Sequence, residues 1–578
     1  MRQDNMKNKC FVIGLDGATF DLIKPWVRDG RLPNMAKIMN DGVHGVLNST
    51  VPPNSAPAWS SFITGKNPGK HGIFDFTQHI EGSYKVRFVN ANLRKGKSIW
   101  RTLSEFNRKV GVINVPMTYP PEKVNGFMIS GMDSPGLDSN FTYPPEIYKE
   151  IKENVGEYII EAGLWSYISK GNIDLAIQKQ METIERRFEV AKYLMEKYPW
   201  DFFTIVFTAT DRVQHAFWKY MDPQHPLFTE PDGKRYGGAI LKVYERLDEI
   251  IGLFMNSLDE NTTLIIMSDH GAGPSSNKTI YLNNWLHKEG FLKYKDSKGG
   301  QQGIGSFAKR MIYTKLLTKT ARNVWKRMSR KNRDKIKKLF PRLSNRLASS
   351  FFFSRIDMDR TLAYAEESRT FIWINSKGRD PKGIVNDGEE YKSVCEKITE
   401  GLRSLKDQVS GQDVIDNVYK KGETYHGESM QIAPDMVVLF KKNGFVPRPS
   451  YNAKPDVILN HIPKNELEKL EVNIQANARH HPDGVVMLWG PKIKKRKKIE
   501  GAQIIDLAPT IFYLTGVPIP ADIDGKVLVD AISEDFLKNN PIEYVSKVES
   551  KSPDSERSGY SDADEEKIGD RLRDLGYL

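Results

Sequence analysis

Four groups of acidic and imidazole side chains stand at the ends of short apolar runs. Asp16 closes FVIGLD, Asp211 closes TIVFTATD with His215 four residues on, Asp269 and His270 close LIIMSDH, and His480 and His481 precede GVVMLWG. A four-residue step brings Asp211 and His215 to one side of a helical first turn. Carboxylates and imidazoles in a set without thiols suit Zn²⁺ or Mn²⁺, and three Asp with three His are enough ligands for two divalent ions. An aspartate after a strand is, taken singly, a cap for the next helix. Four such groups, each at the end of a run, point to a metal centre instead. A two-metal centre needs a nucleophile, and TVPPNSAPAWSSFITG leads through a Pro-rich loop into a helix-like stretch, with Ser55 at the expected N-cap. There the helix N-terminus offers amide protons to a phosphoryl oxygen, while a metal lowers the pKa of the hydroxyl. Ser60, Ser61 and Thr64 compete less well because they fall within the helix.

The elements that hold these groups read as a doubly wound α/β core. KVGVINVP, DFFTIVFTATD, NTTLIIMSDHG and GVVMLWGP are continuous apolar runs, separated by helical patterns such as Ile173 to Lys197 and Ala239 to Leu258. Such runs suit a mainly parallel sheet with helices on both faces, and open sheets of this kind bind ligands beyond their strand ends. The series breaks after about residue 290. We therefore expect a first core part over 1–290, an inserted cap over 291–430, a second core part over 431–545 and a flexible C-terminal tail over 546–578.

Composition and charge narrow the alternatives. The chain has 578 residues, 39% hydrophobic, with 10 Trp, 23 Tyr and 27 Phe, which excludes a wholly disordered composition. Two cysteines, Cys10 and Cys395, cannot build a disulfide framework or a thiolate zinc ribbon, and they favour a reducing, cytoplasmic setting. The apolar stretch near the N-terminus is cut by Gly14 and Asp16, so no cleavable leader is expected, and no uninterrupted run reaches the length of a spanning helix. The formal charge is +12, yet residues 307–347 alone carry 15 Lys or Arg against Asp334, so the remainder is near neutral. Apolar residues spaced among those cations read as basic amphipathic helices, suited to an anionic membrane surface and thus to a peripheral place on the inner membrane face. Nucleic acid is the less favoured partner, and a solvated helical excursion is the plain alternative.

The ordered set GLDG, PPNSAPAWSSFITGKNPGKHGIFDF, TDRVQH, SDHG, HHPDG and IIDLAPTIFYLTGVPIPADIDG resembles the alkaline phosphatase superfamily, in its type I phosphodiesterase and nucleotide pyrophosphatase branch. Within that branch it is most similar to a group of phosphohydrolases and phosphomutases, which INSKGRDPKGIV and the ending RLRDLGYL also resemble. The likeness covers roughly 10–290 and 360–530. It implies an alkaline-phosphatase-like fold and a two-metal phosphohydrolase acting on a phosphoester, diester or monoester, through a covalent phosphoserine on Ser55. It implies one metal on Asp16, Asp269, His270 and the Ser55 oxygen, and a second on Asp211, His215 and His480, with zinc first and manganese second. His480 is preferred to His481 because the matching element has the form His-x-Pro-Asp-Gly. Two departures stand out. The nucleophile is Ser55 where nucleotide pyrophosphatases carry Thr, and Phe76 stands where they carry an Asn that contacts a substrate oxygen, which argues against nucleotide substrates. Lys377 and Arg379 in NSKGR are the candidates to replace that contact from the cap.

Other chemistries fail on particular residues. An aspartyl-phosphate phosphatase of the haloacid dehalogenase type needs a second Asp where Ala18 stands. GKNPGK lacks the glycine and the Ser or Thr of a phosphate loop, and no GxGxxG follows a strand. A sulfatase needs Arg where Trp59 stands. Phosphomutase action, with the phosphoryl group returned to the substrate, is the main catalytic alternative; a non-catalytic polyanion- or membrane-binding protein on a hydrolase scaffold is the other.

Overall fold

The computed structural model describes residues 8–295, 353, 355–366, 369–442, 444–450, 453–471, 477–546 and 560–575. The basic stretch 307–347 lies outside the described residues. The core is a nine-stranded sheet in the order Lys497–Gln503, Val43–Asn48, Asp483–Trp489, Thr262–Met267, Lys9–Leu15, Phe202–Phe207, Val110–Val115, Gly126–Ser130 and Thr142–Tyr143. Lys9–Leu15 runs parallel to both neighbours, whereas Asp483–Trp489 and Thr142–Tyr143 run antiparallel to theirs. The central strands are buried on both faces, which is why they read as unbroken apolar runs rather than alternating ones. Helices Ile173–Lys197 and Ala239–Ser257 pack on one side of the sheet, and Ser55–Thr64 with Leu507–Leu514 on the other, each pair sealing its own apolar cluster. None of the described helices is long and apolar enough to cross a membrane.

A second body is an antiparallel sheet in the order Ala363–Ala365, Phe371–Ile374, Met436–Phe440 and Ile415–Lys420, backed by the helix Glu389–Arg403. Met436–Phe440 pairs with Ile415–Lys420 over its full length, so this body continues beyond residue 430, where the sequence reading ended the cap. The hydrophobicity of that strand matches a core strand and gives no local sign of its partner. The expected flexible tail also differs at its end. Asp562–Asp574 is a helix whose Ile568 and Leu572 are buried, a stretch too rich in charge for its apolar stripe to stand out in the sequence.

Candidate active site

Strand order builds the site. Thr262–Met267, Lys9–Leu15 and Phe202–Phe207 are adjacent and parallel, with Gly14 opposite Met267 and Leu15 opposite Phe207. Their carboxyl ends therefore deliver Asp269 and His270, Asp16, and the helix bearing Asp211 side by side, with Asp16 in the middle. All four residues are fully buried. Two glycines of the GLDG run make room. A side chain at Gly14 would come within 2.6 Å of the Trp59 ring, whose Nε1 donates to Asp16 Oδ2 at 3.1 Å. Gly17, at φ +67°, takes the left-handed turn that lets its N–H donate to Asp269 Oδ1 at 3.1 Å.

His480 arrives from elsewhere. Ala478–His481 pairs antiparallel with Gly271–Pro274, placing His480 opposite Ala272 and stacking its ring on His270 at 3.7 Å. Asp211 Oδ1 is 3.1 Å from His215 Nε2 and 3.4 Å from His480 Nε2, and the two imidazole nitrogens are 2.9 Å apart. A second convergence joins Asp16, Asp211 and His270. His270 Nε2 lies 3.3 Å from Asp269 Oδ2 and 3.9 Å from Asp16 Oδ1. Asp16 Oδ1 and Asp269 Oδ2 are buried with no hydrogen-bond donor among the described residues. Lone carboxylate oxygens turned inward beside imidazoles are costly unless a cation sits among them.

The imidazoles are oriented as metal ligands are. His270 Nδ1 is 3.0 Å from Gly271 O and His480 Nδ1 is 3.1 Å from Pro53 O. A carbonyl only accepts, so Nδ1 carries the proton in each ring, and Nε2 of the neutral ring offers a lone pair. Burial, with the neighbouring His480, keeps His270 well below the usual histidine range. Burial and the neighbouring Asp269 and Asp211 hold Asp16 well above the carboxylate range, and burial holds Asp269 at about 7. Burial would raise Asp211 as well, but His215, His480 and Arg212 together outweigh it and keep its carboxylate charged. The donor set, all oxygen and nitrogen with one carboxylate common to both convergences, fits divalent cations of the zinc or manganese type.

Ser55 is the first residue of the helix Ser55–Thr64, and the N-cap is Asn54, one residue earlier than the sequence suggested. The Asn54 side chain accepts from Ala56 N, which leaves the Ser55 side chain available for other contacts. Ser55 Oγ lies 3.2 Å from His270 Nε2, and its hydrogen bond also bears on Asp269. Ser60, Ser61 and Thr64 lie further along the helix, where Ser61 bonds His71 and Thr64 bonds the Ser60 carbonyl.

The structure thus brings together Ser55, Asp16, Asp211, His215, Asp269, His270 and His480. It does not bring Lys377 and Arg379 to them. Lys377 is exposed and donates to Asn386, whereas Arg379 is the counter-ion of buried Asp435, at 2.8 Å, and of Asp380, at 3.0 Å. A guanidinium committed to two carboxylates inside the cap has little left to offer a substrate, so the expectation for this loop is corrected. Other residues appear that the sequence reading passed over. Arg212 Nη1 donates to Asp211 Oδ2 at 2.6 Å, and an arginine directly after a ligand, inside TDRVQH, was the available signal. Asp75 accepts from Asn54 Nδ2 at 3.0 Å and pairs with Arg369, which comes from the cap.

A family model described as type I phosphodiesterase / nucleotide pyrophosphatase matches residues 10–465, a span that holds every residue of this cluster except His480. Among solved structures, human ectonucleotide pyrophosphatase / phosphodiesterase 5 is similar over 91% of this chain and 100% of its own, at 14% identity and a TM-score of 0.46. The murine protein gives the same values, both alone and as an inactive variant in complex with AMP. None of the curated proteins matches.

Proposed function

Because the chain belongs to the type I phosphodiesterase / nucleotide pyrophosphatase family and is a phosphoester hydrolase, we propose that it cleaves its ester by attack of Ser55 and passes through a covalent phosphoserine. The observation that carries this reading is the position of Ser55 Oγ, 3.2 Å from the His270 Nε2 lone pair at the first turn of a buried helix. In this reading Asp16, Asp269 and His270, with the Ser55 oxygen, hold one divalent ion, and Asp211, His215 and His480 hold the other. Two such ions, zinc in the first instance, would supply Lewis acidity to the attacking and leaving oxygens.

The protein's own groups do the rest. His270, kept neutral and oriented by Gly271 O, turns its Nε2 lone pair to the place where the ion would sit, and Ser55 Oγ, 3.2 Å from that nitrogen, would face the same ion. Asn54 holds the first turn in place, Asp75 holds Asn54, and Arg369 holds Asp75. Amides of a helix's first turn lack intrahelical acceptors and favour an anion there. Trp59 and Gly17 fix the Asp16 and Asp269 carboxyls by direct N–H donation, so neither must reorganise as charge develops. Phe76, buried beside the turn, cannot make the polar contact to a substrate oxygen that the corresponding Asn of nucleotide pyrophosphatases makes, which favours a substrate other than a nucleotide.

The test is hydrolysis of p-nitrophenyl phosphate and bis-p-nitrophenyl phosphate by metal-reconstituted wild type and Ser55→Ala. Loss of the nucleophile should lower kcat by about three orders of magnitude or more, and acid-quenched wild type should yield a phosphopeptide containing Ser55. The ratio between the two esters assigns mono- or diesterase action. An isomerised product without free phosphate would mean a mutase, and undiminished turnover in Ser55→Ala would end the proposal.

A further inference from the structure

The ending RLRDLGYL has no part in the chemistry above. Its first residues belong to the helix Asp562–Asp574, and that helix lies against the back of the site. Ile568 and Leu572 are buried in one cluster with Ala56, Phe76 and Met132. Ala56 directly follows Ser55, and Phe76 directly follows Asp75. This cluster is separate from the two that seal the faces of the sheet, so the core does not depend on it for burial. Tyr560, just before the helix, stacks on Tyr119 and donates to the Asp133 carbonyl at 2.9 Å.

Polar contacts continue the same line inward. Arg571 Nη1 donates to the carbonyls of Met132, at 2.8 Å, and Ser134. The sulfur of Met132 lies 3.0 Å from Arg212 Nη2, and Arg212 Nη1 holds Asp211 Oδ2 at 2.6 Å. Arg212 sits between two acids, since Glu161 Oε2 is 3.5 Å from its Nε. The Met132 sulfur supports the second Nη of the guanidinium while the first holds Asp211. A shift of residues 131–135 would withdraw that support from the guanidinium.

We propose that the C-terminal helix is a positioning element of the active site, with Arg571 as a positioning residue that fixes Asp211 through Met132 and Arg212. The inference rests on the reading that Asp211 is a metal ligand. Arg571 touches neither substrate nor metal; it sets the orientation of a group that does.

The experiment uses full-length Arg571→Gln, with Lys567→Ala as control, since Lys567 is exposed and, among the described residues, pairs outward with Asp138 at 3.0 Å. Three quantities are read: kcat and KM on whichever ester wild type hydrolyses, Zn²⁺ affinity by chelator competition, and thermal unfolding. Partners that orient a metal ligand change affinity or activity by about 10- to 100-fold. Two steps further out, we expect at most the lower end of that range, a loss of about three- to tenfold in kcat and in Zn²⁺ affinity for Arg571→Gln, with KM within about twofold. Lys567→Ala should change neither, and Arg571→Lys, which keeps one donor, should recover part of both. Wild-type kcat and Zn²⁺ affinity in Arg571→Gln would overturn the proposal, as would equal losses in both variants that follow their unfolding temperatures. If wild type hydrolyses neither ester, a mutase or a more selective esterase takes the place of the hydrolase reading, and Zn²⁺ affinity alone then decides the role of Arg571. Should Arg571→Gln not fold, Arg571→Lys is compared with Lys567→Ala by the same criteria.

Discussion

Cutting the cap's hold on the nucleophile turn tests how the two bodies cooperate. Arg369 comes from the antiparallel body and pairs with Asp75 of the core, the two side chains being 17% and 6% exposed. Arg369→Met keeps the stem and removes the charge, leaving Asp75 with donors from Asn54 and Phe76 N but no counter-ion. Breaking a buried pair from one side costs about 3–5 kcal/mol. Two donors remain and the carboxyl can take a proton, so we expect the lower end, about 3 kcal/mol at neutral pH. The sign with pH follows from the Asp75 pKa. Burial already holds it above its ordinary 3.8, against the pull of Arg369, and losing Arg369 raises it further. A carboxyl with a raised folded-state pKa contributes stability that is fully present below 3.8 and is lost as pH rises through the folded value. The deficit of Arg369→Met should therefore be small in acid and grow towards neutrality. Urea unfolding of wild type, Arg369→Met, Asp75→Asn and the double variant, near pH 5 and near pH 7.5, reads this out. The double variant removes the unpaired Asp75 charge, although Glu366, 3.4 Å from Arg369, also loses that cation, and it should regain part of the loss. A penalty equal at both pH values, or a double variant no more stable than Arg369→Met, would refute the reasoning.

Three further outcomes are expected. Trp59→Phe removes the N–H that Asp16 Oδ2 accepts, which should cost about 1.5–3 kcal/mol in denaturant unfolding of metal-free protein and less once Zn²⁺ is bound. His480→Ala should lower the zinc content measured by mass spectrometry by about one ion per chain, whereas His481→Ala should leave it unchanged, because His480 and not His481 joins His215 and Asp211. Residues 307–347, with 15 cations against one acid, should bind phosphatidylserine vesicles with about 1 kcal/mol per surface-apposed Lys or Arg, and vesicle flotation should weaken steeply as salt rises.

How far the site was legible depends on the range of the contacts that make it. Asp16, Asp211 and Asp269 were visible because a buried parallel strand writes itself as an apolar run, and its carboxyl end is a place in the fold as well as in the sequence. His215 was visible because one helical turn ties it to Asp211. Ser55 was displaced by one position, since Asn54 and Ser55 are both good caps and only the bond to Ala56 N separates them. Arg369, 294 residues from Asp75 in the chain, left no such trace, and Arg379 offered a false one, since a basic residue in a loop looks the same whether it faces a phosphate or a buried aspartate. The extent of the cap and the docking of the last helix failed for a related reason. A strand's partner and a helix's receptor are set by surfaces brought together only in the fold, and Met436–Phe440 would read equally well in either sheet. Chemistry that needs a charge at a strand's end is therefore readable in this chain, while the groups that hold that charge in place come from wherever the topology returns. That is also where substitutions should alter activity without touching a single ligand.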